Sequence, residues 1–167
     1  MGQILNVELD VYCDGACKGN PGKGGWGSYI EVHQNWIQEK RKDILTYELY
    51  GGQENTTNNV MEMTALIKAA EWIVLNHYNK CKVIFHIDSA YIVNCYYEKW
   101  YNKWIENNWL TSSKEPVKNK ELWEKIIVIF EQPNFHFRKV KGHSGIKGNE
   151  IADKLANEGV KSIENGY

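Results

Sequence analysis

Asp14, Glu62, Asp88 and Asp153 are the side chains of this chain whose types and places could do metal chemistry. Each falls where a strand should end or a helix should begin. Brought together, four carboxylates repel and raise one another's pKa unless cations neutralise them. Hard oxygen donors with no Cys or His among them suit Mg²⁺ or Mn²⁺ rather than zinc. Two such ions about 4 Å apart are the apparatus of in-line phosphodiester displacement. Every acid also has a plainer reading. Asp14 before a Gly-rich stretch is ordinary turn chemistry. Glu62 could complete a capping box with Asn59 or complement the helix dipole. Asp88 could cap the helix that follows it, and Asp153 could be a first-turn dipole residue. His143, flanked by Gly142, Gly145 and Gly148, reads either as a proton carrier on a mobile loop or as an exposed loop histidine.

The positions of these residues follow from hydrophobic periodicity. Leu5, Val7, Leu9, Val11 and Cys13 alternate with polar residues, which predicts a strand ending on Asp14 at the Gly-rich turn from Gly15 to Gly25. Trp26 to Val32 and Trp36 to Leu49 predict two more strands joined at His33-Gln34-Asn35, a three-stranded antiparallel meander. A helix is expected from Asn58 to Asn76, with Ala65, Leu66, Ala69, Ala70 and Ile73 as its buried stripe and Glu62 in its first turn. Lys82 to Asp88 is apolar on both faces, the pattern of a covered central strand. If it pairs in parallel with the first strand, Asp14 and Asp88 lie side by side at the carboxyl ends where α/β sheets form sites.

Tyr91 to Trp109 continues helically and carries Tyr96, Tyr97, Trp100, Tyr101, Trp104 and Trp109 among Lys99 and Lys103. Trp100 and Trp104 are one turn apart and share a face. Aromatic packing and a basic surface for a nucleic-acid backbone are both compatible with this composition. A Lys-rich loop then leads into an amphipathic helix from Glu121 to Glu131. Asn134 to Val140 is the last strand, and Asn149 to Glu158 the last helix, with Asp153 at the margin of its buried face.

At 167 residues and 43% hydrophobic content, one compact domain over residues 1–167 is expected. The 20 Lys and Arg nearly cancel the 21 Asp and Glu, so any nucleic-acid binding must come from local patches. The 4 Cys lack the paired spacing of a zinc site and read as free thiols. Neither a signal peptide nor a membrane-spanning run is apparent, which points to the cytoplasm.

The segments D-G-A-C-K-G-N-P-G-K-G-G-W-G, T-N-N-V-M-E, I-D-S-A-Y and V-K-G-H-S-G with N-E-I-A-D-K-L-A resemble the ribonuclease H family, in its HI branch. W-Y-N-K-W-I-E-N-N-W and P-V-K-N-K-E-L-W resemble that family's handle. The resemblance implies an α/β ribonuclease H-like fold, a five-stranded mixed sheet of order 3-2-1-4-5 flanked by helices. It implies hydrolysis of the RNA strand of an RNA–DNA hybrid, leaving 5′-phosphate and 3′-hydroxyl ends, by a monomer without an obligate protein partner. Asp14 would bridge two Mg²⁺ or Mn²⁺ ions, with Glu62 and Asp88 on one and Asp153 on the other, and His143 would assist proton transfer or product departure. Asn20, Asn58 and Asn59 would contact the hybrid in the minor groove. Thr57 and Asn119 would grip a DNA phosphate, with Trp100, Lys103 and Trp104 beside the DNA strand.

Ala90 stands where many bacterial members have Gln, and Asn55 where some eukaryotic members have Arg. Glu98 and Glu106 make the handle less basic, so weaker hybrid affinity is expected. The alternative to an enzyme is a catalytically silent nucleic-acid-binding module of the same fold, and retention of all four acids and the histidine speaks against it.

Overall fold

The computed structural model describes residues 5–141 and 145–164. The elements, in chain order, are β1 (Leu5–Lys18), β2 (Gly22–Trp36), β3 (Arg41–Thr56), α1 (Asn58–Leu75), β4 (Lys82–Ile87), α2 (Ala90–Glu98), α3 (Trp100–Glu106), α4 (Lys120–Phe130), β5 (Phe135–Lys139) and α5 (Lys147–Glu164). The sheet has the order β3-β2-β1-β4-β5, as expected. β1 pairs antiparallel with β2 and parallel with β4, and the parallel register ends at Cys13 opposite Ile87. Asp14 and Asp88 are therefore the next residues on two adjacent strands.

Two expectations about the first hairpins need correction. β1 does not stop at Asp14 but runs on to Lys18, and Gly22, Gly24 and Gly25 lie inside β2. His33, Gln34 and Asn35 are not a connection either. They pair with Ile44, Asp43 and Lys42, and the chain turns after Trp36. β3 likewise continues through the Gly-Gly pair to Thr56. Glycines that look like strand breakers are serving helix packing instead. A Cβ on Gly25 would lie 2.1 Å from the Ala156 carbonyl oxygen, one on Gly27 would lie 2.6 Å from that of Ala152, and one on Gly52 would lie 2.3 Å from that of Gly159. The backbone of α5 thus rests directly on β2 and β3, a contact that any side chain would hold apart.

The other face of the sheet carries the main core. Leu9, Val11 and Cys13 of β1 and Val83, Phe85 and Ile87 of β4 are buried against α1 and α4, whose Leu66, Ile73, Trp123 and Ile126 are wholly inaccessible. The five stripe residues predicted for α1 are all buried. β4 is not covered on both faces: Ile84 and His86 remain partly exposed. The helical run after Asp88 breaks at Lys99, whose left-handed φ of 51° separates α2 from α3. Trp104 packs 5.4 Å from the buried Trp123 and 5.9 Å from Trp109, ring centre to ring centre.

Gly25→Ala is expected to destabilise the protein by about 2–3 kcal/mol, because the added methyl overpacks a backbone contact that cannot yield. Urea unfolding followed by circular dichroism measures this. A midpoint equal to wild type would show that α5 does not rest on β2 as described.

Candidate active site

Asp14 is carried past the end of the β4 pairing, on the sheet face that α5 covers. Its Oδ1 accepts a hydrogen bond of 2.8 Å from the Gly15 N–H. Gly15 turns toward α1, where an added Cβ would stand 2.6 Å from the Glu62 nitrogen and 2.9 Å from its Cγ. The absence of that Cβ lets Glu62 come beside Asp14. Glu62 is not a capping residue. Thr57 is the N-cap of α1, its hydroxyl accepting from the Val60 N–H at 3.2 Å, and Glu62 lies beyond the first turn. Asp88 does not cap α2 either, because the Ser89 hydroxyl does so by accepting from the Ile92 N–H. Asp153 is not a first-turn residue, since α5 begins at Lys147. The structural roles that competed for the acids at these positions belong to other side chains.

The carboxylates act on one another in a chain of neighbours. Loss of water pushes the Asp14 carboxyl up to about 7, with the negative charges of Asp153 and Glu62 and a hydrogen bond to Asp153 pushing the same way and the Gly15 N–H opposing them. Burial likewise pushes Glu62 up to about 7, reinforced by Asp88 and resisted by a hydrogen bond from Ser89 and by the Lys139 ammonium. The structure therefore joins Asp153 to Asp14, Asp14 to Glu62, and Glu62 to Asp88. Among the described residues, no three of these four bring oxygens all within 4.8 Å of one another. An all-oxygen, four-carboxylate set of this kind is compatible with hard divalent ions.

Ser89 and Lys139 were not singled out from sequence. Lys139 Nζ stands 3.6 Å from Asp88 Oδ1, half-exposed, and donates to the Val140 carbonyl at 3.0 Å. Its strand-final position on β5, opposite Ile87 and so beside Asp88, is the signal that could have revealed it. His143 lies outside the described residues.

The residues expected to meet substrate fall in two groups. The Asn20 side-chain oxygen accepts from the Asn58 N–H at 3.1 Å, joining the G-N-P-G turn to the start of α1 beside Thr57 and Asn59. Asn20, Asn58 and Asn59 are exposed. In the second group, Trp100 and Trp104 sit 6.4 Å apart, Lys103 is exposed between them, and both indoles are partly buried. The aromatic segment thus packs and presents surface together. Asn119 precedes α4 in the left-handed region at φ 62° and spends no side-chain hydrogen bond on capping.

A mixed sheet of this order, with acids on four elements converging where β1 and β4 part, defines the class of fold. The RNase H family model matches residues 6–161, and the chain belongs to that family. A protein named Ribonuclease H from Methylobacillus flagellatus is 43% identical over 155 residues, covering 93% of each chain. Among solved structures, LC9-RNase H1, described as a type 1 enzyme with the type 2 active-site motif, is similar at a TM-score of 0.75 and 26% identity, covering 96% of this chain and 75% of that one. LC11-RNase H1 in complex with an RNA/DNA hybrid is similar at a TM-score of 0.65 and 28% identity, covering 93% of this chain and 99% of that one.

Asp14 and Glu62 both hold protons more tightly folded than unfolded, where carboxyls titrate near 4. Between about pH 4 and about 7 the folded chain binds more protons, so their contribution to stability is lost as pH rises through that range. In EDTA at pH 8, Asp14→Asn should therefore be more stable than wild type by about 1–2 kcal/mol, about 3–6 °C in melting temperature, with the gap closing toward pH 4. Calorimetry across pH tests this, and a variant that melts no higher than wild type at pH 8 contradicts the repulsion.

Proposed function

We propose that this chain is a Mg²⁺-dependent endoribonuclease that cleaves the RNA strand of RNA–DNA hybrids, leaving 5′-phosphate and 3′-hydroxyl ends, as a single catalytic domain spanning residues 1–167. The observation that carries the reading is the convergence of Asp14, Glu62, Asp88 and Asp153 from β1, α1, the end of β4 and α5. Family membership and the likeness to an RNase H bound to a hybrid support it.

Asp14, central in the chain of carboxylates, would share two ions, with Glu62 and Asp88 toward one and Asp153 toward the other. When bound, the ions supply an activated water and charge for the departing 3′-oxygen. Asp14 and Glu62 are poised near neutrality and must lose their protons to bind a cation, so affinity rises with pH and binding releases protons. His143 would move a proton or help product leave. Asn20, Asn58 and Asn59, held together at the turn, would read 2′-hydroxyls in the minor groove, the groups that distinguish RNA from DNA. Thr57, Asn119, Trp100, Lys103 and Trp104 would take the DNA strand, aromatic faces and a cation serving a sugar–phosphate backbone.

One copy supplies every proposed ligand, so a monomer suffices. No helix among the described residues is long and apolar enough to cross a membrane. Cys13, Cys17, Cys81 and Cys95 are free thiols, which fits a reducing compartment such as the cytoplasm.

A labelled RNA–DNA hybrid should be cut in Mg²⁺ and spared in EDTA, with single-stranded RNA and duplex DNA untouched. Asp14→Asn should lower the rate at least about a thousandfold, equivalent to about 4 kcal/mol of transition-state stabilisation. Full activity in that variant would remove Asp14 from the chemistry. His143→Ala should slow turnover about ten- to a hundredfold without abolishing it, and an unchanged rate would rule out its part.

A further inference from the structure

A second group of ligand-bearing side chains lies away from the four acids, on the same sheet face nearer the start of β1. Asp10 and Glu31 are directly opposite one another in the antiparallel β1–β2 pairing, where two like charges repel. His33, two residues along β2 on the same face, places Nε2 3.0 Å from Asp10 Oδ2 and 3.5 Å from Glu31 Oε1. That nitrogen is closed to solvent and faces both carboxylates at once. From β4, His86 Nε2 is 2.8 Å from the other Asp10 oxygen, Oδ1, with Tyr12 stacked on its ring at 4.4 Å. Asp10, Glu31 and His33 bring one ligand atom each within 4.8 Å of the others.

We propose that Asp10, Glu31 and His33 form a binding site for a zinc-class divalent cation, with His86 as the hydrogen-bonding partner that orients Asp10. Tetrahedral zinc with bonds of about 2.0–2.1 Å separates its ligands by roughly 3.3 Å, and the two His33 contacts bracket that edge. A ring nitrogen within 3.0 Å of one carboxylate and 3.5 Å of another stands where a single ion could be shared among the three. The cation would cancel the repulsion of the Asp10–Glu31 pair and tie β1 to β2. An imidazole in the set selects a borderline metal such as zinc, whereas the four carboxylates around Asp14 suit Mg²⁺. At about 3.3 Å per strand residue, Asp10 lies about 13 Å from Asp14, so the two sites load independently. The side chains of Asp10, Glu31 and His33 keep between 23% and 28% of their exposure, which leaves a path for entry.

Calorimetric titration of the full chain with ZnCl₂, in buffer saturated with Mg²⁺ and with Cys17→Ser as the background, tests this. One Zn²⁺ per chain should bind with a micromolar or tighter Kd, weakened at least about a hundredfold by His33→Gln and by Glu31→Gln. His86→Gln should weaken it about ten- to a hundredfold, as loss of a ligand-orienting partner does. Asp88→Asn should leave it unchanged. In the chain with both histidines intact, Zn²⁺ should shift the His33 Nε2 resonance, a readout that needs no folded variant. Absence of Zn²⁺ binding, binding unaltered in His33→Gln and Glu31→Gln, or an unmoved His33 resonance would each overturn the proposal.

Discussion

The contact on which the site depends is backbone against backbone, where α5 lies on β2 and β3. Gly25, Gly27 and Gly52 offer no side chain, and Gly159 answers them from the helix with a position that a Cβ would put 2.1 Å from the Gly51 carbonyl oxygen. This closeness brings Asp153 down to Asp14. Gly15 does the same on the opposite face, admitting α1 and with it Glu62. A methyl group at any of these places would hold the packed backbones apart, so five glycines govern how closely the carboxylates approach.

What is brought together resists being together. Asp14 and Glu62 lose water, Asp14 also faces the charges of Asp153 and Glu62 and Glu62 that of Asp88, and both are pushed up to about 7. The opposing forces come from two hydrogen-bond donors, the Gly15 N–H and the Ser89 hydroxyl, and from the Lys139 ammonium. Hydrogen-bond donors orient the oxygens without neutralising them, which leaves room for a cation to supply the missing charge. Carboxylates held against their own repulsion make a set compatible with a hard divalent cation.

Much of this was legible in the residues. The α1 stripe repeats at helical spacing and was buried as read, and the strand order follows the family resemblance. The acids stood out because periodicity reads each at an element boundary, although Asp14, Glu62 and Asp153 lie inside β1, α1 and α5. Their plainer alternatives could not be rejected from sequence, because Thr57 and Ser89 compete for the same capping roles and only coordinates show which side chain accepts the N–H. Glycines misled for a physical reason: Gly24 and Gly25 permit a turn and permit close packing, and local sequence does not distinguish the two uses. His33 and Asn35 were read as a connection for want of apolar character, whereas their partners across β3 and β1 hold them extended. The Asp10, Glu31 and His33 group is invisible to spacing rules, since its members meet only through cross-strand register.

β3 closes one side of the sheet, and its outer rim runs from Arg41 to Thr56 with Ile44, Leu45 and Tyr50 exposed along it. A rim of that length is a template on which a stray strand could be added. Lys42, Glu48 and Glu54 punctuate it with charges of both signs, and the Arg41 guanidinium lies 5.0 Å from the Trp36 ring centre, capping the hairpin's end. The charges on this margin oppose the addition of a stray strand, a burden separate from that of the acids the interior assembles.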